Sequence, residues 1–228
     1  MLDLQQFERD GFTITSSLFS TAEVAHLINV IETHATPEPG RGGVRDIMDH
    51  APELRAVANS PVVREIVTQI LGPHAFAVRS TLFDKTPDAN WRVPWHQDVT
   101  IAVKERCEIE GYGPWSIKEG IAHVQPPSAI LESMLTIRIH LDDCPALNGA
   151  LRVMPGTHKL GRINQIDAPA YVSESQAVTC VAKSGEALVM RPLLLHASSP
   201  SASATHRRVL HFDFSNTGLA NDLQWRMK

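Results

Sequence analysis

Apolar residues recur at helical spacing in the first third of the chain. Between positions 24 and 31 they fall at i, i+3, i+4 and i+7, which predicts a helix that buries one face. Ser20 before this run and Glu23 three residues later match an N-terminal capping box. A second stripe of the same period covers residues 63–70. We therefore expect residues 1–72 to form a mostly helical N-terminal support for the rest of the chain.

Beyond the helical region the pattern changes to short apolar segments of period two, as in β-strands. Residues 135–141 alternate strictly between apolar and polar side chains. Arg207, if it faces the interior, shares its side with His211, whereas Phe212 packs on the opposite layer. Asn148-Gly149 is typical of a two-residue hairpin turn between two such segments. Many short strands separated by turns predict a mainly β fold with flanking helices, arranged as a sandwich, jelly roll or barrel.

Residues 101–131 show neither period and are longer than most loops. Long connections in compact domains are usually functional or disordered. Because apolar residues such as Trp115 and Ile121 would be unusual in a disordered segment, we expect an ordered lid insert. No internal repeat or interdomain linker interrupts the chain, so residues 1–228 are predicted to form one domain.

Composition and charge narrow the class of protein. Of the 228 residues, 43% are hydrophobic and 20% are charged, values that are ordinary for a globular protein. The formal net charge of −4, without runs of like charge, argues against nucleic acid or an anionic membrane as the main partner. Three cysteines without a CxxC pair predict neither disulfides nor a zinc site. The N-terminus lacks the apolar core of a signal peptide and no stretch has the roughly 18 apolar residues of a membrane span, so a cytoplasmic location is expected.

Histidines and carboxylates are the candidates for chemistry, because the sequence has no GxSxG, HExxH or Walker A pattern. His96 and Asp98 are two residues apart, and on an extended backbone both side chains point the same way. Together they supply two of the three ligands of a facial triad for a metal ion. His196 follows three leucines, at the predicted end of a buried strand, and is the candidate for the third ligand.

Arg207 lies eleven residues after His196, at the start of an alternating segment. Two antiparallel strands joined by a short turn would bring its guanidinium beside the metal, where it can hold a carboxylate by two charge-assisted hydrogen bonds. Two histidines, an aspartate and a buried arginine are the set needed to hold iron and a dicarboxylate. Thr136, Arg138 and His140 either line the same pocket or form the solvated face of an edge strand.

Four motifs occur in a fixed order over most of the chain: FERDGF at 7–12, FDKTP at 83–87, PWHQD at 94–98 and NGALRVMPGTH at 148–158. They are followed by His196, Ser198 and Arg207. This order of motifs resembles the phytanoyl-CoA dioxygenase family.

The resemblance implies a fold, a metal and a set of roles. The fold is a double-stranded β-helix, a cupin-like jelly roll with helices packed outside one sheet. The family's motifs place iron(II) on His96, Asp98 and His196, with 2-oxoglutarate and O2 as the other participants in the reaction. They pair Arg207 with the distal carboxylate of 2-oxoglutarate and place a Ser198 hydrogen bond nearby.

Two further residues, Gln97 and Thr136, are predicted to contact the cosubstrate. The resemblance implies that Gln97 lies close to 2-oxoglutarate, although strand alternation points its side chain away from His96. Asp98 stands where halogenating members of the wider family have a small residue. The expected reaction is therefore hydroxylation of a small organic substrate, with release of succinate and carbon dioxide, rather than halogenation.

Two alternatives stay open at this point. A cupin-type metalloenzyme that does not use 2-oxoglutarate would not need Arg207, and such proteins usually show an HxH pair with a further Glu and His instead of HxD. A non-catalytic jelly-roll binding module would be expected to have lost a metal ligand. The sequence predicts neither the identity of the substrate nor the oligomeric state.

Overall fold

The helices lie mainly in the N-terminal part of the computed structural model, which describes residues 2–202 and 206–227. Their bounds are α1 (Leu4–Asp10), α2 (Thr21–His34), α3 (Pro52–Ala58), α4 (Pro61–Leu71) and α5 (Ser128–Glu132). Short 3-10 helices occupy Ile47–Asp49, Ala146–Asn148, Thr157–Leu160 and Ala168–Tyr171. Within these described residues, no helix combines the length and the apolar character needed to cross a lipid bilayer.

Local signals explain where the two longest helices begin. The Ser20 hydroxyl accepts a hydrogen bond from the Glu23 backbone N–H at 3.3 Å, and the Glu23 carboxylate accepts one from the Ser20 backbone N–H at 2.7 Å. The predicted capping box of α2 is therefore confirmed. α4 begins at Pro61, a position where the missing N–H of proline costs nothing. The sequence did not predict α3, because its seven residues are too few to show a helical period.

Within the described residues, the strands form three antiparallel sheets. Their bounds are β1 (Phe12–Ile14), β2 (Gly43–Arg45), β3 (Phe76–Asp84), β4 (Val93–His96), β5 (Ile101–Val103), β6 (Trp115–Lys118), β7 (Ile121–Val124), β8 (Met134–His140), β9 (Leu151–Val153), β10 (Val178–Cys180), β11 (Ala187–Met190), β12 (His196–Ser198) and β13 (Arg208–Ser215).

Two of the sheets face each other and build the body of the molecule. The larger has six strands in the order β1-β11-β8-β13-β3-β2, and the smaller has four in the order β10-β9-β12-β4. Apolar residues of β1 and β11 pack with residues of β9 and β10 in one buried cluster between them. This arrangement is a jelly roll, so the predicted mainly β fold with flanking helices is confirmed.

The outer face of the six-stranded sheet carries the helices. Leu210 and Phe212 of β13 lie in one fully buried cluster with Phe7 of α1 and Leu54 of α3. Full burial of each such side chain contributes about 1.5–3 kcal/mol to stability. His211 points to the other side of the sheet, where it lines a cavity between the two sheets. The predicted register of this strand is therefore confirmed.

The strand β8 lies in the middle of the six-stranded sheet, between β11 and β13, and is buried along its whole length. The alternative of a solvated edge strand is therefore wrong. Arg138 lines the cavity. Thr136 instead donates its hydroxyl to Asp213 Oδ1 at 2.6 Å, and His140 is buried among the strands. A polar face in the sequence does not reveal whether water or a buried cavity lies beside it.

The predicted hairpin at Asn148-Gly149 is wrong. The strands on either side of it, β8 and β9, belong to different sheets, and β9 pairs with β10 and β12 instead. Gly149 has a φ of 65°, and a Cβ placed there would lie 2.6 Å from the carbonyl oxygen of Ser199. Glycine is therefore needed for a turn that crosses between the sheets and for the close approach of another backbone segment.

Residues 101–131 form an ordered unit beside the cavity. Strands β5, β7 and β6 make a separate three-stranded sheet, and α5 follows it. Apolar side chains of this unit pack with Leu223 and Trp225 near the C-terminus. Glu119 and Gly120, both with positive φ, form the turn between β6 and β7, and the preceding residue, Lys118, lines the cavity. That the unit closes over the cavity as a lid stays a prediction.

Candidate active site

The smaller sheet brings the three predicted metal ligands together. β4 ends at His96 and β12 begins at His196, and these two residues are directly paired across the strands. Asp98 follows two residues after His96, and its backbone N–H donates to the Pro192 carbonyl at 2.9 Å. The ligand atoms of His96, Asp98 and His196 all lie within 4.8 Å of one another. The predicted convergence of the two histidines and the aspartate is therefore confirmed.

Backbone carbonyl groups fix the orientation of both imidazole rings. His96 Nδ1 lies 2.9 Å from the Pro94 oxygen and 3.1 Å from the His196 oxygen. His196 Nδ1 lies 2.8 Å from the Leu194 oxygen. Because a carbonyl oxygen only accepts, Nδ1 carries the proton in each ring and the Nε2 lone pair faces Asp98. The two Nε2 atoms lie 3.9 Å and 3.8 Å from the Asp98 carboxylate oxygens.

The charge states of these groups suit a divalent cation. Burial raises the pKa of the Asp98 carboxyl, but His196 and Arg79 more than offset this, so the pKa falls well below its ordinary value. Burial, and then the neighbouring His96, lower the pKa of His196 to about 3. At neutral pH the site therefore presents an ionised carboxylate beside a neutral imidazole. Two imidazole nitrogens and one carboxylate on one side of a cation are the donor set of a facial triad, which iron(II) fits.

The predicted position of His196 at the end of a strand is wrong. The three leucines before it form a turn, and β12 begins at His196 itself. Leu193, Leu194 and Leu195 are all buried, because this turn lies beneath the metal ligands rather than at the surface. An apolar run of this length does not distinguish a buried turn from a buried strand.

A cavity of about 190 Å³ opens beside the three ligands. It is lined from both sheets and from the three-stranded sheet. Its apolar wall includes Phe83, Trp91, Val93 and Leu151. Its cationic lining consists of Arg45, Arg79, Lys118, Arg138 and Arg207.

Arg207 has the environment expected of a ligand-binding arginine. Its side chain is 2% exposed, and its Nη1 donates to the Gly149 carbonyl at 3.2 Å. Its Nε has no hydrogen-bond partner, and no carboxylate of the described residues lies within ion-pair distance of the guanidinium. Since a buried charge without a partner is costly, an anionic ligand from outside the chain would complete this group.

The position of Arg207 relative to His196 differs from the predicted one. The sequence predicts that the two residues lie on adjacent strands. The strand β12 belongs to the four-stranded sheet and β13 to the six-stranded sheet, so the two are not neighbours. Arg207 and Ser198 instead meet in the space between the two sheets. Both side chains donate a hydrogen bond to the Gly149 carbonyl there.

The sequence comparison decides the family. The profile described as Phytanoyl-CoA dioxygenase (PhyH) matches residues 7–209, which include His96, Asp98, His196, Ser198 and Arg207. The chain belongs to the phytanoyl-CoA dioxygenase family.

Two dioxygenases are similar in sequence to this chain over much of its length. An ectoine dioxygenase of Bordetella parapertussis is 27% identical over 170 residues, which cover 68% of this chain and 48% of that protein. The peroxisomal phytanoyl-CoA dioxygenase of Bos taurus is 24% identical over 258 residues, which cover 95% of this chain and 69% of that protein. This chain thus spans about half the length of the ectoine dioxygenase that it matches.

Solved structures share the fold. HygX from Streptomyces hygroscopicus, with nickel and 2-oxoglutarate bound, superposes with a TM-score of 0.68 at 16% identity, over 94% of this chain and 87% of HygX. At this level of identity the likeness supports the jelly-roll fold and no finer statement.

Ser198, which the family resemblance places near the cosubstrate, is held by a lysine that sequence reasoning missed. Its hydroxyl donates to the Gly149 carbonyl at 2.9 Å and accepts from Lys85 Nζ at 2.7 Å. Lys85 is fully buried and lies 5.3 Å from the centroid of the Trp91 ring. Lys85 belongs to the FDKTP motif of the family. A lysine at the end of a strand, however, does not indicate from the sequence that its side chain is buried.

Gln97 does not line the cavity, in contrast to the contact that the family resemblance implies. Its side-chain amide donates to the carbonyls of Leu193 at 2.7 Å and Gly161 at 2.9 Å, and accepts from the Ile163 backbone N–H at 2.7 Å. Strand alternation turns the side chain away from His96, as the period-two pattern predicts. Gln97 therefore anchors a neighbouring loop, and its contact with the cosubstrate stays a prediction.

Thr136 also stays outside the cavity lining, for a reason that lies in β13. The carboxylate of Asp213 is 2% exposed and accepts hydrogen bonds from Thr136, Arg79 and His211. Arg138 Nη1 in turn lies 2.9 Å from His211 Nδ1. The Thr136 hydroxyl therefore supports a buried network behind the cavity. The alternating pattern of β13 puts Asp213 and His211 on one face of the strand. It does not reveal which residues of other strands contact them.

Proposed function

We propose that this protein is an iron(II)- and 2-oxoglutarate-dependent dioxygenase that hydroxylates a small organic substrate and releases succinate and carbon dioxide. The observation that carries the proposal is the combination, in one cavity, of a converged His-Asp-His set and a buried arginine without a carboxylate partner. The names of the related dioxygenases, and the nickel and 2-oxoglutarate bound in HygX, support the same reaction class.

In this proposal each polar group of the site has one task. His96, Asp98 and His196 hold the iron, and the backbone carbonyls behind the imidazoles keep each Nε2 free to bind it. Arg207 binds the distal carboxylate of 2-oxoglutarate. Ser198 turns its single O–H from the Gly149 carbonyl to the same carboxylate, while Lys85 holds the Ser198 oxygen in place. When bound, iron and 2-oxoglutarate supply the oxidising chemistry, in which O2 is consumed, 2-oxoglutarate is decarboxylated and a C–H bond of the substrate is hydroxylated.

The rest of the cavity orients the substrate and excludes water. Phe83 and Trp91 contribute aromatic faces to the cavity, and the Arg138 guanidinium lies 5.3 Å from the centroid of the Phe83 ring. The three-stranded sheet extends Lys118 over the cavity, and as a lid it would limit side reactions with solvent. The carboxylate of Asp98 occupies the position that a halide would need, which favours hydroxylation over halogenation. We place the protein in the cytoplasm, supported by cysteines that are all free among the described residues.

The competing functions leave particular residues without a role. A cupin-type enzyme that acts without 2-oxoglutarate has no use for a buried, carboxylate-free Arg207. A non-catalytic binding module has no need for two imidazoles fixed in the tautomer that binds metal. Both alternatives are therefore less favourable than the dioxygenase.

The test of the proposed function is the conversion of 2-oxoglutarate. The purified protein is loaded with iron(II) and 2-oxoglutarate, exposed to air in the presence of a panel of small organic compounds, and assayed for succinate and hydroxylated product. We expect succinate formation that requires iron(II) and rises with at least one compound. Succinate formation that is independent of added iron(II) and equal in Asp98→Ala would contradict the proposal.

A further inference from the structure

Four of the five cations that line the cavity form an inner and an outer pair, and the fifth, Arg79, is paired with Asp213. The inner pair is Arg207, just before β13, and Arg138 of β8. Burial, and then the neighbouring Arg207, lower the pKa of Arg138 to about 10, so the two guanidinium groups are close enough to repel each other. No carboxylate of the described residues lies within ion-pair distance of either group. This inner end suits the distal carboxylate of 2-oxoglutarate.

The outer pair comes from different elements of the fold. Lys118 ends β6 of the three-stranded sheet, and Arg45 ends β2 of the six-stranded sheet. Lys118 Nζ lies 3.4 Å from Thr100 Oγ1, and no carboxylate of the described residues forms an ion pair with it. Burial, and then Arg79 and Arg45, lower its pKa, so its strongest charged neighbours are also cations.

Protein carboxylates offset this outer pair only in part. Arg45 Nε is buried without a hydrogen-bond partner and lies 3.5 Å from Glu119 Oε1. The Glu119 side chain is 40% exposed, so water screens much of this attraction. Among the described residues, the Asp98 carboxylate attracts Lys118, but it lies beyond ion-pair distance and belongs to the candidate metal site. The outer end therefore keeps about one positive charge that the protein does not neutralise.

Binding of iron(II) and 2-oxoglutarate does not neutralise the positive charge of the outer pair. Divalent iron, the Asp98 carboxylate, the two carboxylates of 2-oxoglutarate and Arg207 cancel one another. Arg79 is neutralised by Asp213, with which it forms an ion pair. Arg138 shares the distal carboxylate with Arg207, so the inner end keeps one positive charge of its own. At the outer end, Lys118 is then the cation that has no carboxylate partner among the described residues.

The space beside Arg45, next to the cavity that Lys118 lines, is large enough for a second molecule. A further cavity of about 370 Å³ shares Arg45, Phe83 and Trp91 with the first and continues outward to Glu119. Its wall combines aromatic faces with charged groups. A ligand that fits this wall has an apolar body and a single anionic group.

We propose that the substrate is a small organic acid whose carboxylate binds Lys118 and Arg45 while its apolar body packs on Phe83 and Trp91. The inference rests on the proposed function, because it takes the inner end to be filled by 2-oxoglutarate. One carboxylate matches the single uncompensated charge of the outer end, whereas a doubly charged phosphate would exceed it. Lys118 is thus a specificity-determining residue, which binds the substrate without taking part in the oxidation.

The test uses protein loaded with nickel(II) and 2-oxoglutarate, which binds ligands without turnover. Sets of three compounds with one carbon skeleton are compared by calorimetry: a carboxylic acid such as cyclohexanecarboxylate, its primary amide and the corresponding amine. We expect at least one acid to bind about tenfold or more tightly than its amide, which corresponds to about 1.4 kcal/mol. In Lys118→Met this preference should be lost, and in Lys118→Arg it should persist.

Two controls separate this inference from the proposed function. Lys104→Met removes an exposed lysine next to β5 of the same three-stranded sheet and should leave the acid preference unchanged. The affinity for 2-oxoglutarate should be equal in wild type and Lys118→Met. If 2-oxoglutarate binds normally but no acid binds better than its amide, or Lys118→Met keeps the preference, the inference is overturned alone. If 2-oxoglutarate does not bind the nickel-loaded protein, the proposed function fails and the inference fails with it.

Discussion

The side chains of Arg207 and Ser198 meet at one backbone atom, the carbonyl oxygen of Gly149. The guanidinium donates to it from 3.2 Å and the hydroxyl from 2.9 Å. Arg207 immediately precedes a strand of the six-stranded sheet, and Ser198 ends a strand of the four-stranded sheet. The Gly149 carbonyl therefore ties the two sheets together at the inner end of the cavity. A carboxylate bound there would be held from both sheets at once.

Replacing Asp98 with alanine should remove metal binding before it affects the fold. The carboxylate is one of three ligands, so its loss should cost more than the roughly 10- to 100-fold in affinity that follows loss of an outer partner. Calorimetric titration with nickel(II), which avoids oxidation, measures this directly. The matched control is Asp88→Ala, an exposed aspartate outside the site, which should bind nickel like wild type. Equal nickel affinity in Asp98→Ala and wild type would contradict the assigned ligand set.

Replacing Thr136 with valine should lower stability and leave cosubstrate binding intact. The substitution removes the hydroxyl that donates to Asp213 at 2.6 Å. Loss of one partner of a buried hydrogen bond costs about 1–3 kcal/mol. Urea unfolding measures the stability, and titration of 2-oxoglutarate into the nickel-loaded variant measures the affinity. A clear loss of 2-oxoglutarate affinity at unchanged stability would restore the contact that the sequence suggested for Thr136.

The buried Lys85 should make stability depend on pH in the alkaline range. Burial, and then Arg207, lower its pKa from 10.5 to about 8 in the folded state. Between these two pH values the unfolded chain binds more protons at this lysine, so its contribution makes the free energy of unfolding rise with pH. The rise should be smaller in Lys85→Met, whereas Lys104→Met, which changes an exposed lysine, should behave like wild type. Urea unfolding across this range is the measurement, and identical pH slopes in Lys85→Met and wild type would refute the assigned protonation.

Local patterns in the sequence were sufficient for several features. The capping box of α2 depends on residues three apart, and the register of β13 depends only on alternation along one strand. The convergence of His96 and Asp98 likewise follows from two positions on one extended segment. Such features are predictable because the contacts that define them are formed by neighbours in the chain.

Contacts between distant segments were not predictable in the same way. Asn148-Gly149 has the residues of a hairpin turn, but pairing of β9 with β10 and β12 makes it a connection between sheets. The buried state of Lys85 depends on Ser198, 113 positions later in the chain. Lys118 lines the cavity only because the three-stranded sheet packs beside it. A single sequence carries no signal for such pairings, since they are decided by packing across the whole molecule.

The central claim, that one cavity binds iron(II) and 2-oxoglutarate together, is tested most directly by anaerobic titration of 2-oxoglutarate into the iron(II) protein. Chelation of the metal by the keto acid gives a visible charge-transfer absorbance, and its growth reports the affinity. We predict a saturable band in wild type and, in Arg207→Ala, a binding free energy weaker by about 2–5 kcal/mol, the cost of removing one partner of a buried charge pair, with iron still bound. Absence of the band in wild type, or equal 2-oxoglutarate affinity in Arg207→Ala, would contradict the account and favour a metalloenzyme that does not use 2-oxoglutarate.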